Sequence, residues 1–225
     1  MARARNGKTR AQMEADIVKA ATTLFARRGY YSPTLREISA RADVSLPIIY
    51  WFFKDKRDLY VECCVRAVKT DVEGLREAIE PYSDAAEIAF AYATKHCRYH
   101  LEGDATKLLH QILLYNDKVV LKRVAKVLFN AQGTAKASEA FGQLEPSRSP
   151  EWSMFILVSF FAGLIEHSTQ WAFLGRPGQT PKIASAREYA LRGLPVLFPR
   201  VDWEAVSERM PKAPPPKKRV RVTRA

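Results

Sequence analysis

The sequence predicts an all-α chain in two parts: three short helices forming a helix-turn-helix unit at the N-terminal end, and a larger helical body behind it. Three observations predict this. Apolar residues recur at three- and four-residue spacing nearly throughout, and no segment alternates in the two-residue rhythm of a half-buried strand. Helix-ending and helix-starting signals crowd between Gly29 and Ser45, too close together for long helices. Pro81 then closes the first long helix and marks the boundary between the parts.

The first helix spans about 13–28, with Ile17, Ala20, Ala21, Leu24 and Phe25 along one face. Gly29 follows, where a helix end favours a residue tolerant of positive φ. After Pro33, the run Thr34-Leu35-Arg36-Glu37 is a capping box that starts a second, short helix, with Leu35, Ile38 and Ala42 inward. Asp43-Val44 makes a tight turn and Ser45 is the next N-cap. A third helix covers about 46–52; Pro47 fits because the first turn needs no intrahelical N–H. Lys54-Asp55 separates it from a helix over about 56–80, with Leu59, Cys63, Val72, Leu75 and Ile79 among its apolar positions.

Beyond Pro81 the periodicity predicts helices at about 84–101, 105–115, 117–142, 150–174 and 182–197. The breaks fall at Gly103-Asp104, Asn116, Glu145-Pro146 and the Gly175-Arg176-Pro177-Gly178 turn. The predicted divisions are a flexible basic arm (1–12), a helix-turn-helix domain (13–60), a helical ligand-binding and dimerisation domain (61–205) and a disordered basic tail (206–225). That tail carries Pro211 and Pro214 to Pro216 among lysines and arginines, a composition unable to bury a core.

A chain of 225 residues, 47% hydrophobic and 27% charged, has the composition of a globular protein. Its longest mainly apolar run, Met154 to Ile165, is far short of the roughly 20 residues a membrane span needs. No apolar stretch follows the basic N-terminus as in a secretory signal. Cys63, Cys64 and Cys97 show no metal-ligand spacing and suit a reducing cytoplasm, the expected location. The net charge of +12 sits mostly at the two ends. Residues 1–13 hold Arg3, Arg5, Lys8 and Arg10 without an acid, and residues 211–225 hold six further cations without one. Set those ten aside and 26 basic residues face 24 acids, so the body carries about +2. Charge of this kind raises phosphate affinity without reading a sequence. No nucleophile elbow, phosphate loop or paired-carboxylate motif points to an enzyme, and no cofactor motif is present.

A helix-turn-helix places its second helix in the major groove, held from behind by apolar anchors. Val44, Ile49 and Phe53 have the spacing of those anchors, which leaves Leu46, Pro47, Ile48, Tyr50 and Trp51 outward, beside Lys54, Lys56 and Arg57. So apolar an outer face suits DNA better than water. The wording of the segment carries more. Ala20-Ala21 to Leu24-Phe25, Arg28-Gly29-Tyr30, Thr34 to Ile38, Ala42 to Ser45, and Ile49-Tyr50-Trp51-Phe52-Phe53-Lys54-Asp55-Lys56 with Asp58-Leu59 resemble, in register, the TetR family of repressors. The resemblance implies a homodimer that reads palindromic operator DNA and is released when a C-terminal domain binds an effector. By position it implies that Thr34, Arg36, Ser45, Tyr50 and Lys56 contact the backbone or groove edge, and that Leu46, Pro47, Ile48 and Trp51 face bases. Leu46 and Ile48 replace residues that many relatives have polar or glycine; they can touch thymine methyls but form no hydrogen bond to a base edge. Packing against the first helix is the alternative for Tyr50, and a solvated charge the alternative for Lys54.

In the body, an aromatic set with few polar groups suits a concave apolar pocket for an apolar or amphiphilic effector. Tyr92, His96, Tyr99 and His100 share one helix, and His110 and Tyr115 lie on the next. Phe129, Phe155, Phe160, Glu166, His167 and Trp171 complete the candidate lining, although such stripes are as often core. His96 and His100 have a spacing that could hold a metal, but no third ligand is evident and none is assigned. The helices at about 150–174 and 182–197 resemble the family's dimerising bundle. A ligand-independent DNA-organising protein driven by its basic ends is the alternative function.

Overall fold

Helix boundaries in the N-terminal part follow side chains that cap backbone. The computed structural model describes residues 8–102, 108, 118–129, 132–173 and 185–211. α1 (Arg10–Arg28) starts ahead of the predicted position 13, because Thr9 and Gln12 form a reciprocal capping box that the apolar periodicity does not report. α2 (Leu35–Ala42) starts at its expected box. The Glu37 N–H donates to Thr34 Oγ1 at 3.2 Å, and the Thr34 N–H donates to the Glu37 carboxylate at 2.8 Å. The same carboxylate accepts from Arg28 at 2.8 Å, which ties the end of α1 to the start of α2. Asp43 ends α2 with φ 56° and ψ 49°, a left-handed conformation that a short polar side chain tolerates and a β-branched one does not. α3 (Leu46–Phe52) and α4 (Lys56–Ile79) follow, α4 capped where the Asp58 N–H donates to Asp55 Oδ1 at 2.8 Å.

These four helices enclose one core, in which Ile17, Ala21, Phe25, Ile38, Ile49, Leu59 and Cys63 are shut off from solvent. Phe25 meets Tyr60 edge-on at 5.1 Å. Arg66 of α4 reaches Glu14 of α1 and holds Glu62 of its own helix at 2.7 Å.

The body is built on α5 (Ala85–Glu102), α6 (Lys118–Phe129), α7 (Gln132–Leu144), α8 (Pro150–Phe173), α9 (Ala186–Leu197) and α10 (Trp203–Arg209). α5 is its axle, packed against α4, α7, α8, α9 and α10. Phe90, Ala93, Cys97, Phe141, Leu157, Phe161 and Leu194 fill the centre. α9 crosses α8 so closely that a methyl group at Gly193 would lie 2.5 Å from the Phe161 ring. α6 packs instead on α4, and its Val120 and Val124 join the N-terminal core. α4 therefore belongs to both cores: Leu59 to Val68 face the first, Leu75 and Ile79 the second.

Two expectations change. The single helix predicted over 117–142 corresponds to α6 and α7, of which α6 packs on α4 and α7 on α5 and α8 as well as α4. The tail does not begin at 206. Trp203, Val206 and Met210 are spaced three and four apart on α10 and are buried in the second core. The Trp203 indole N–H donates to the Phe198 carbonyl at 3.0 Å. Arg187 lies over the Phe90 ring and donates to carbonyls of Ser207, Met210 and Pro211, closing the end of α10. Of the helix predicted at 105–115, only Leu108 falls among the described residues, buried in the first core. Among the described residues no helix is long and apolar enough to cross a membrane.

Trp203→Ala removes a buried ring and its hydrogen bond, and is expected to cost ~3–5 kcal/mol. A thermal melt should show the loss; an unchanged midpoint would mean that α10 does not stabilise the body.

Candidate nucleic-acid interface

Seven residues make α3 just two turns long, and its faces divide sharply. Ile49 is fully buried against α1, α2 and α4 side chains, and Phe53 beyond the helix end is buried with it. At 100° per residue, Ile48 lies beside Ile49 and one turn before Phe52, so it packs partly onto the same core. Leu46 is likewise half-buried. Of the expected base-facing set, Ile48 packs partly onto the core and Leu46 is half-buried, while Pro47 and Trp51 are exposed, as is Tyr50 beside them. Tyr50 is 55% exposed and Trp51 58%, so the Tyr50 ring is not core packing against α1.

Charges around this face are largely committed within the protein. Lys56 Nζ donates to the Tyr31 carbonyl at 2.9 Å and sits 4.9 Å from the centre of the Tyr30 ring, where burial lowers its pKa. Lys8 pairs with Asp16 at 2.7 Å. Thr34 donates its hydroxyl proton to Glu37 at 3.0 Å, and Arg28 with the Thr34 donors holds that carboxyl at about 2, so a negative charge already occupies the N-terminus of α2. Arg36, Ser45 and Lys54 are exposed, and the Ser45 hydroxyl makes no capping bond. Arg10, an expected DNA-binding residue of the basic arm, is instead the first residue of α1. Its guanidinium lies 4.6 Å from the centre of the Trp51 ring and 5.9 Å from that of Phe52. Arg3 and Arg5 lie outside the described residues.

A second cluster lies where α4 meets α5. Tyr92 and His96 are buried and stacked, with ring centres 6.2 Å apart, and Tyr92 meets Phe141 edge-on at 5.5 Å. Tyr99 donates to the Ala67 carbonyl of α4 at 2.9 Å. The centre of the cluster is a residue not among the expected candidates, Asp71. It is buried, its Oδ1 has no hydrogen-bond partner, and its charge is felt by both Tyr92 and Tyr99. Burial pushes its carboxyl up to about 7, with Lys95 pulling the other way. The sequence held a signal: position 71 stands three and four residues from Val68, Ala67 and Leu75, an acid inside an apolar stripe.

Other ligand candidates separate. Phe160 is half-buried and lies at 5.5 Å from Phe161, in the core. Phe155 is 59% exposed, 5.2 Å from the exposed Trp152 ring, and so lines no interior; it occupies the outer side of α8. His110 and Tyr115, and the side chains of His100, Phe129, Glu166, His167 and Trp171, lie outside the described residues. Among the described residues no group of three His, Cys, Asp or Glu side chains could hold a metal.

Residues 17–63, the span from α1 into α4, match the profile of bacterial regulatory proteins of the tetR family. The transcriptional activator FasR of Mycolicibacterium smegmatis is 35% identical over 75 residues, 33% of this chain and 34% of FasR. The match thus spans about a third of that relative. The transcriptional regulator HbdR of Aromatoleum is 27% identical over 186 residues, 80% of this chain and 77% of HbdR. The structure of FadR from Bacillus subtilis, in complex with stearoyl-CoA, superposes with a TM-score of 0.61 at 17% identity, over 83% of this chain and 98% of FadR, a likeness of fold.

The Asp71 carboxyl implies a pH-dependent cost. Below its ordinary value of 3.8 it is neutral whether the chain is folded or not. As pH rises toward 7 the unfolded chain releases the proton and the folded one retains it, so stability falls through that window and levels above it. Asp71→Asn removes the effect. Its melting advantage over the parent should be small at pH 4 and grow to ~3–4 kcal/mol by pH 8. An advantage equal at both pH values would contradict the assignment.

Proposed function

We propose that the chain is a member of the tetR family of bacterial regulatory proteins and a ligand-responsive repressor, binding palindromic operator DNA as a homodimer and released by an apolar or amphiphilic effector. One observation carries the DNA-binding half of this reading. A two-turn α3 stands on a buried core and presents Tyr50 and Trp51, two adjacent aromatic rings, to solvent. A two-turn helix reads few bases, which makes paired half-sites about 34–36 Å apart, and hence a dimer, part of the proposal. α8 and α9 supply the dimer face, an idea supported by Trp152, Phe155 and Val196, apolar side chains that these helices leave in water.

The effector half rests on the cluster between α4 and α5. Tyr92, His96, Tyr99 and Asp71 combine apolar surface with a few buried polar atoms, the composition of a small-molecule site. Because α4 runs from this cluster into the DNA-binding core, a ligand that prefers one placement of α4 also selects one placement of α3. FadR, whose structure holds the amphiphile stearoyl-CoA, supports an amphiphilic effector through shared fold.

A mobility-shift assay with the DNA upstream of the protein's own coding sequence should give a salt-sensitive, sequence-preferring complex; binding indifferent to sequence would leave only the tail-driven alternative. Trp51→Ala should weaken the specific complex by ~10-fold or more while changing non-specific binding little, and an equal loss on both would refute a base-facing role. Trp152→Asp with Phe155→Asp should shift the protein from dimer to monomer in sedimentation, whereas a dimer that survives both changes would move the interface elsewhere.

A further inference from the structure

We infer that Arg10 and Trp51 form one composite reading element, in which the stacked guanidinium is the base-specific donor of this domain and takes the O6 and N7 edge of a guanine. The inference rests on the DNA-binding reading above and goes beyond it by naming the donor and the base. The starting point is a deficit. The outward positions of α3 are Pro47, Tyr50 and Trp51, with Leu46 half-buried, and among them only the Tyr50 hydroxyl and the Trp51 indole N–H can hydrogen-bond at all. Neither has the paired donors that distinguish guanine from the other bases in the major groove. A specific site read through this face needs a fork of donors from another element.

α1 delivers one. Arg10 is the first residue of α1, and its guanidinium is 4.6 Å from the Trp51 ring centre, on the exposed side of the domain. Stacking uses the flat face of the guanidinium and leaves its N–H edges free, so the contact positions the group without consuming its donors. Among the described residues, no carboxylate or carbonyl is paired with those edges. Its neighbours differ. Lys8, two residues earlier, is tied to Asp16 at 2.7 Å, and Lys56 is tied to the Tyr31 carbonyl at 2.9 Å. Arg10 is thus a cation held in place by an aromatic platform rather than by a counter-charge, and the platform belongs to the reading helix. Holding the side chain in advance also reduces the rotamer entropy lost on binding. A lysine would keep the charge but not the flat fork, so the two functions of Arg10 are separable by mutation.

The test is site selection from a randomised DNA pool with the full chain, followed by affinity measurements at several salt concentrations for the parent, Arg10→Lys, Arg10→Ala and Trp51→Leu. The parent should select a guanine at one position of each half-site. Arg10→Lys and Arg10→Ala should both lose that preference, with discrimination against a substituted base falling ~10- to 100-fold. Arg10→Ala alone should also flatten the salt dependence, since it alone removes a cation. Trp51→Leu should lose the same guanine preference although Arg10 is intact, and adding Arg10→Ala to it should cost little more at that position. Uniform weakening across all sequences on Arg10→Ala would show a phosphate contact only and overturn the inference. A guanine preference retained by Arg10→Lys or Trp51→Leu would do the same. If the parent selects no sequence, the DNA-reading proposal fails instead, so the two failures are distinct. Arg10 and Trp51 are exposed, and circular dichroism of each variant confirms that the fold is kept.

Discussion

Two hydrophobic cores in this protein share one helix, and that sharing is the constraint on which the remaining structure depends. The 24 residues of α4 extend over roughly 36 Å at 1.5 Å each. Its first half supplies Leu59, Cys63, Cys64 and Val68 to the core that supports α3. Its second half supplies Leu75 and Ile79 to the core built on α5. Neither core can shift its share of α4 without carrying the other, because a continuous helix transmits displacement far better than a loop. Asp71 stands between the two apolar stretches, and the carboxyl that solvation would favour is instead held against Tyr92 and Tyr99. An acid whose Oδ1 has no hydrogen-bond partner thus stands at the midpoint of the helix, between the stretches that the two cores hold.

Charge placement follows a similar economy. A net charge of +12 suggests a surface covered in uncommitted cations, yet several cations among the described residues are paired within the protein. Lys8, Lys56, Arg28 and Arg66 each have an internal partner and serve to orient α1, α2 and α4 toward one another. Such exposed pairs contribute little stability individually. Their effect is geometric: Arg28–Glu37 ties α1 to α2, and Arg66–Glu14 ties α4 to α1.

Much of the N-terminal architecture was legible in the sequence, for a physical reason. The Thr34-Glu37 capping box, Gly29 at positive φ and the Asp43 turn are local devices whose residues are adjacent in the chain, so spacing alone reveals them. The all-helical class was legible for the same reason. What escaped is non-local. The Arg10–Trp51 stack joins residues in separate helices, and Ile48 turns inward because of the core behind it, not because of its neighbours in sequence. α10 escaped because three apolar residues among prolines and charges look like a tail until Arg187 and Phe198 provide their partners. Asp71 escaped for the opposite reason: on a helical wheel it reads as an interruption, and only packing turns the interruption into a buried acid.

The three cysteines have a consequence of a different sort. All are buried and reduced, and burial pushes the Cys63 thiol up to about 12 and Cys97 higher still. With its pKa pushed that far up, the Cys63 thiol stays protonated at neutral pH, so neither peroxide nor a maleimide finds a ready nucleophile there. The native chain is therefore a silent background for spectroscopy. A single cysteine added on the exposed side of α2 or α9 would take a fluorophore or spin label selectively, without first stripping out the natural thiols.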